Sequence, residues 1–175
     1  MSYIILAILF ILSGFFMKYS DDLVDENNDL TFASVLGVFC GVASALASIY
    51  SVEAAYIFIA IPIGNLLAMK VDGMHHIITL IVYIFIMIVG GIPDLSLVVL
   101  LICILGTLSD EVGHELIGKV TQNKFWNLFF EYRFVLKIVI LLLAVSGVFS
   151  FWIFACFILF EISYTCAGIL FEKFN

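Results

Sequence analysis

Two short stretches concentrate the ionisable side chains of an otherwise apolar chain. Ser20-Asp21-Asp22-Leu23-Val24-Asp25-Glu26 recurs 89 residues later as Ser109-Asp110-Glu111-Val112-Gly113-His114-Glu115. In a helix, positions three and four apart share a face. Asp22 and Asp25 therefore fall together and Asp29 extends the row, while Asp110 and His114, with Glu111 beside them, do the same in the second copy. Like charges at this spacing repel by roughly a few tenths of a kcal/mol per pair on an exposed helix, and by more near a bilayer. A divalent cation turns that repulsion into binding, and Mg2+ takes one or two carboxylates and completes its shell with waters and phosphate oxygens. The alternative is a solvated acidic loop followed, much later, by a polar helix end.

The elements that must position these residues follow from composition. Of 175 residues, 65% are apolar and 12% charged, with 18 Phe, seven Lys and Arg and 14 Asp and Glu; the mean hydropathy is +1.25. A soluble globular domain is nearer half apolar and a quarter charged. Disorder and nucleic-acid binding are excluded by the same numbers, and a disulfide scaffold by four cysteines scattered through apolar runs. What remains is an all-α, multi-pass integral membrane protein of the cell membrane, in one domain over 1–175. Seven apolar segments stand out, at about 2–17, 31–50, 52–69, 76–92, 94–109, 134–149 and 150–171. Each is expected to be a helix, because a lone span in hydrocarbon must satisfy its backbone internally. The first lacks a basic start and a small-residue cleavage site, so it reads as a span and not as a cleavable signal.

With seven spans, Lys18, Lys70, Lys119, Lys124, Arg133, Lys137 and Lys173 all fall on one side or just inside the span entering from it. The positive-inside rule makes that side cytoplasmic, with the N-terminus outside and the C-terminus in the cytoplasm. Eleven of the 14 acids lie there too, so that face is net acidic despite holding every cation. A surface built to grip anionic headgroups has the opposite sign.

Asp21-Asp22-Leu23-Val24-Asp25-Glu26-Asn27-Asn28-Asp29 resembles the first aspartate-rich motif, N-D-x-x-D-x-x-x-D, of the UbiA superfamily of intramembrane prenyltransferases. Asp21 stands for the Asn. Asp110-Glu111-Val112-Gly113-His114 is similar to that family's second motif, D-x-x-G-D, with His114 in the last position. Both motifs in the family sit at cytoplasmic helix ends, about four spans apart, so span one here stands for its second helix and span five for its sixth. The resemblance implies transfer of a prenyl group from a polyprenyl diphosphate to a lipid or aromatic acceptor at the cytoplasmic face of the bilayer, with Mg2+ as cofactor. It implies metal ligation by Asp21, Asp22, Asp25, Asp29, Asp110, Glu111 and His114. Asp22, Asp25, Asp110 and Lys137 would be the catalytic residues.

Diphosphate contacts are expected from the cations at this end and one amide: Lys18, Asn65, Lys70, Lys119, Lys124 and Arg133. Lys137 ranks first among the cations, since an ammonium just inside a span needs a partner. The long connection 116–133 mixes Lys119, Lys124, Trp126, Phe129, Phe130, Tyr132 and Arg133 as an interfacial amphipathic helix does. Asp72, His75 and His76 form either a polar loop or a metal-binding group. Glu161, midway along the last span, calls for a hydrogen-bond partner such as Tyr164 or a residue of another span. Phe15, Phe16, Phe39, Phe129 and Phe130 are candidates to line an apolar chamber. The competing reading is a divalent-cation channel or transporter with an acidic cytoplasmic mouth. An enzyme requires a closed apolar chamber beside the acids, and a channel requires a polar path to the outer face.

Overall fold

The computed structural model describes residues 3–71, 73–120 and 122–174. Asp72 lies outside the described residues. The described chain is all helical: α1 (Tyr3–Asp25), α2 (Leu30–Tyr50), α3 (Val52–Leu67), α4 (Met74–Gly90), α5 (Leu97–Val120), α6 (Lys124–Glu131), α7 (Phe134–Val145) and α8 (Phe151–Phe174).

Seven of these fall on the seven apolar segments, and α6 is the amphipathic piece expected within 116–133. Four helices are long and apolar enough to cross a membrane: Tyr3–Asp25, Leu30–Tyr50, Leu97–Ile117 and Phe151–Phe174. At 1.5 Å per residue, the 21 residues of α2 reach about 31 Å, the thickness of a hydrocarbon core. Val52–Leu67, Met74–Gly90 and Phe134–Val145 are shorter apolar helices. The 12 residues of α7 extend only about 18 Å. Exposed Ile81, Phe85, Ile88 and Val89 give α4 an apolar outer surface suited to lipid.

Local chemistry explains the breaks. Asn28 adopts a left-handed conformation after α1, and Asp29 caps α2 by accepting from the Phe32 amide at 3.0 Å. Ser51 ends α2 and begins α3, accepting from the Ala54 amide at 3.2 Å. Gly91 and Gly147, both at positive φ, close α4 and α7.

α1 packs on α8 and α2, α2 on α3 and α4, α3 on α5, α5 on α7, and α7 on α8. Six helices therefore close a ring, joined by α4 through its contact with α2. Small residues set the close approaches. A Cβ on Gly14 would collide with the Phe160 carbonyl across the α1–α8 contact, and one on Gly41 with the Thr79 carbonyl between α2 and α4. Toward one end the ring is filled by Phe10, Ile57, Ile140, Ile153 and Phe157. The motif-bearing ends of the helices leave a cavity at the other.

Candidate functional site

The cavity has a volume of about 620 Å3. Side chains of both motifs line it: Asp21 and Asp25 from α1, and Asp110, Glu111 and His114 from α5. Two stretches 89 residues apart in sequence thus meet around one space. The deeper wall is formed by Ser44, Phe58, Ile61, Tyr83 and Phe160.

On α1 the two aspartates that face the cavity are one turn apart. Asp22, rotated about 100° from Asp21 around the helix, turns instead toward α8. There it is nearly buried and accepts from Lys18 Nζ at 2.7 Å. Asp29 lies beyond the end of α1 and serves as the α2 cap, so the helical row from Asp22 through Asp25 to Asp29 is broken by the turn at Asn28. Asp21 Oδ1 stands 3.3 Å from His75 Nε2 and 3.8 Å from His76 Nδ1 at the start of α4.

On α5 the acids already have protein partners. Asp110 is 1% exposed, and its two carboxylate oxygens accept from the amides of Val135, at 2.8 Å, and Leu136, at 2.7 Å. These amides belong to the first turn of α7, whose N-cap, Arg133, makes no side-chain cap. Asp110 does that work from a neighbouring helix, where the orphan amides and the helix dipole favour a carboxylate. Glu111 Oε1 is 2.9 Å from Arg133 Nε, and Arg133 Nη1 donates to the Tyr164 hydroxyl at 3.4 Å. Burial works against the Arg133 cation, but the Tyr164 hydroxyl and the Glu111 carboxylate outweigh it, so its pKa stands above the ordinary value.

The other expected residues separate into two groups. Asn65, Lys70 and Arg133 line the cavity. The buried Asn65 Oδ1 has no hydrogen-bond partner among the described residues, and Lys70 pairs with Glu115 at 3.3 Å. Lys18, Lys119, Lys124 and Lys137 do not reach the cavity wall. Lys119 extends over Glu115 at 3.6 Å, and Lys124 opens α6 on the surface. Lys137 has the partner its position demands, Glu161 Oε2 at 2.7 Å, which accounts for the mid-helix carboxylate of α8 as well. It also donates to the carbonyl of Tyr132.

The aromatic wall comes from unexpected positions. Phe58 and Phe160 line the cavity. Phe16 packs against Phe39 in a tilted pair, and Phe129 and Phe130 cluster with Trp126. Helical patterning placed the acids on one end but carried no signal for Asp110 as a cap of α7, for Tyr164 as partner of Arg133, or for the approach of Asp21 to His75. Each depends on which helices become neighbours. Compared with protein-family models, with curated proteins and with solved structures, the chain shows no match.

Proposed function

We propose that this chain is a membrane-embedded, Mg2+-dependent prenyltransferase-like enzyme. It would cross the bilayer seven times, with the N-terminus outside and the C-terminus in the cytoplasm, and transfer a prenyl group from a polyprenyl diphosphate to a lipid or aromatic acceptor at the cytoplasmic face. One observation carries this reading: acids and cations surround the mouth of a single cavity of about 620 Å3 whose depths are aromatic and aliphatic. That division suits an amphiphile with a multiply charged head and an apolar tail, in a space of the size small-molecule sites have.

The donors present fit Mg2+. Asp21 and Asp25 offer carboxylates one turn apart beside open space, and Mg2+ needs no more than one or two from the protein. Asp21 and Asp25 would hold it, and when bound it would neutralise charge developing on the departing diphosphate. The second motif contributes differently, since Asp110 and Glu111 are committed to α7 and to Arg133. Through them Arg133 is held at the cavity wall as a preorganised cation for phosphate oxygens. Lys70 adds a second positive group. Phe58, Ile61 and Phe160 exclude water from an allylic cation.

The channel reading finds less support. Among the described residues the lining stops at Ser44, Phe58, Tyr83 and Phe160, and the Tyr83 hydroxyl is hydrogen-bonded to Ser48 at 3.0 Å. A permeant ion needs a polar path beyond them.

The test is turnover by the purified chain in lipid nanodiscs, offered a length series of radiolabelled polyprenyl diphosphates. Mg2+-dependent diphosphate release is expected, falling by about 100-fold or more in Asp25→Asn, the order that one electrostatic stabiliser contributes. Thermal stability should be unchanged, since Asp25 is exposed. Equal turnover in the variant, or no release from any donor, sinks the proposal.

A further inference from the structure

We infer that Asp21, His75 and His76 form a binding site for a borderline transition-metal cation of the Zn2+ class, with a coordination position open to the cavity. This goes beyond the Mg2+ reading: it shares the Asp21 carboxylate with that reading and adds two imidazole nitrogens as donors. The last turns of α1 meet the first turn of α4, bringing together residues 54 and 55 positions apart. One donor atom from each of the three lies within 4.8 Å of the other two. His75 Nε2 is 3.3 Å and His76 Nδ1 3.8 Å from Asp21 Oδ1. Around a tetrahedral ion with bonds of about 2.0–2.1 Å, neighbouring donors stand roughly 3.3 Å apart. The Asp21–His75 pair already has that spacing, while the Asp21–His76 pair, at 3.8 Å, is longer, so the set must contract around an ion, chiefly by movement of His76.

A second observation points to a ligand. His75 is 4% exposed, and its Nδ1 is buried with no hydrogen-bond partner among the described residues. Its ring lies against Gly73, where any Cβ would collide with it. A buried imidazole with an unsatisfied nitrogen costs stability, and the ring so packed turns its other nitrogen, Nε2, to Asp21 in the cavity wall. The His76 ring packs against that of His75 at a tilt of 38°, with ring centroids 3.9 Å apart. The His76 side chain is 30% exposed, which leaves it room to bring Nδ1 into range.

Electrostatics agree with the donor set. Both histidines sit in the first turn of α4. Asp21 supplies the negative charge that a cation beside a helix N-terminus requires. Two nitrogens and one oxygen select Zn2+ and its neighbours over Mg2+, which prefers oxygen. All three residues line the cavity, and three protein ligands with an open fourth position is the pattern of a reactive zinc site, able to take water or a phosphate or carboxylate oxygen.

The test uses the full, tag-free chain in nanodiscs, stripped with a chelator. Zn2+ is titrated calorimetrically, and Co2+ binding is followed by its visible absorption. One Zn2+ per chain is expected, retained in a large excess of Mg2+, with Co2+ giving the intense spectrum of a low-coordinate site. His76→Ala should weaken Zn2+ by more than the roughly 10–100-fold that loss of an outer-shell partner costs. It is the decisive variant, because the part-exposed His76 can be removed without opening the core, whereas His75→Gln perturbs a buried position. Absence of saturable Zn2+ binding, displacement by Mg2+, or unchanged affinity in His76→Ala overturns the assignment. None of these readouts depends on diphosphate release, so failure here and failure of the prenyltransferase reading are distinguishable.

Discussion

At the scale of single residues, the second acidic motif shows how position decides what a carboxylate does. Asp110 and Asp25 belong to the two copies of one acidic pattern, yet Asp110 binds two backbone amides in near-complete burial while Asp25 is exposed at the cavity mouth. The two should separate in mutagenesis. Asp110→Ala removes charge-assisted bonds to the start of α7 and is expected to lower stability by about 2 kcal/mol, measured as earlier unfolding in a denaturing-detergent titration, with Arg133 displaced as a consequence. A stability equal to that of the parent would mean that Asp110 is not the cap of α7. The spacing of the acids was legible in sequence, and so was their gathering at one end of the molecule. Their partners were not, because Val135, Leu136, Arg133 and His75 become neighbours only once α5 meets α7 and α1 meets α4.

At the scale of elements, hydrophobic runs located seven apolar helices, and the aromatic and basic mixture within 116–133 located α6. Boundaries moved where capping chemistry overrode the apolar pattern. α1 continues to Asp25 and α5 to Val120, carrying the motifs on helical faces, while α7 stops at Val145, just before the turn at Gly147. Acids borrowed from other helices recur at helix starts: Glu53 accepts from the Ser150 amide at 2.8 Å, just ahead of α8, as Asp110 does for α7. Such long-range caps have no local signature. The helix contacts do depend on a readable feature, small residues, and Gly14 is the tightest test of it. Gly14→Val drives a branched side chain into the Phe160 backbone and should cost about 1–3 kcal/mol, together with activity, since Phe160 lines the cavity. Unchanged unfolding of that variant would mean that α1 and α8 do not approach as described.

At the scale of the whole molecule, a ring of six helices with α4 alongside places all seven cations and most of the acids at one end. The proposed topology makes that end cytoplasmic. Single cysteines introduced in a cysteine-free background at Asp94 and at Lys119 should label with a membrane-impermeant maleimide from opposite sides in intact cells: Asp94→Cys at once, Lys119→Cys only after permeabilisation. The reverse pattern would invert the orientation, and labelling of both from outside would remove the odd number of crossings. Orientation matters for the proposed reaction because a prenyl diphosphate would be supplied in water while its tail belongs in hydrocarbon, and the cavity would join the two only if its acidic mouth faces the compartment holding the donor.

The most direct measurement is an experimental structure of the chain with Mg2+ and a non-hydrolysable prenyl thiodiphosphate. The proposal requires the thiodiphosphate between Asp25 and Arg133, Mg2+ on the α1 carboxylates, and the prenyl chain running toward Phe58 and Phe160. Analogue bound elsewhere, or a string of ions continuing past Tyr83 to the opposite end, would contradict it.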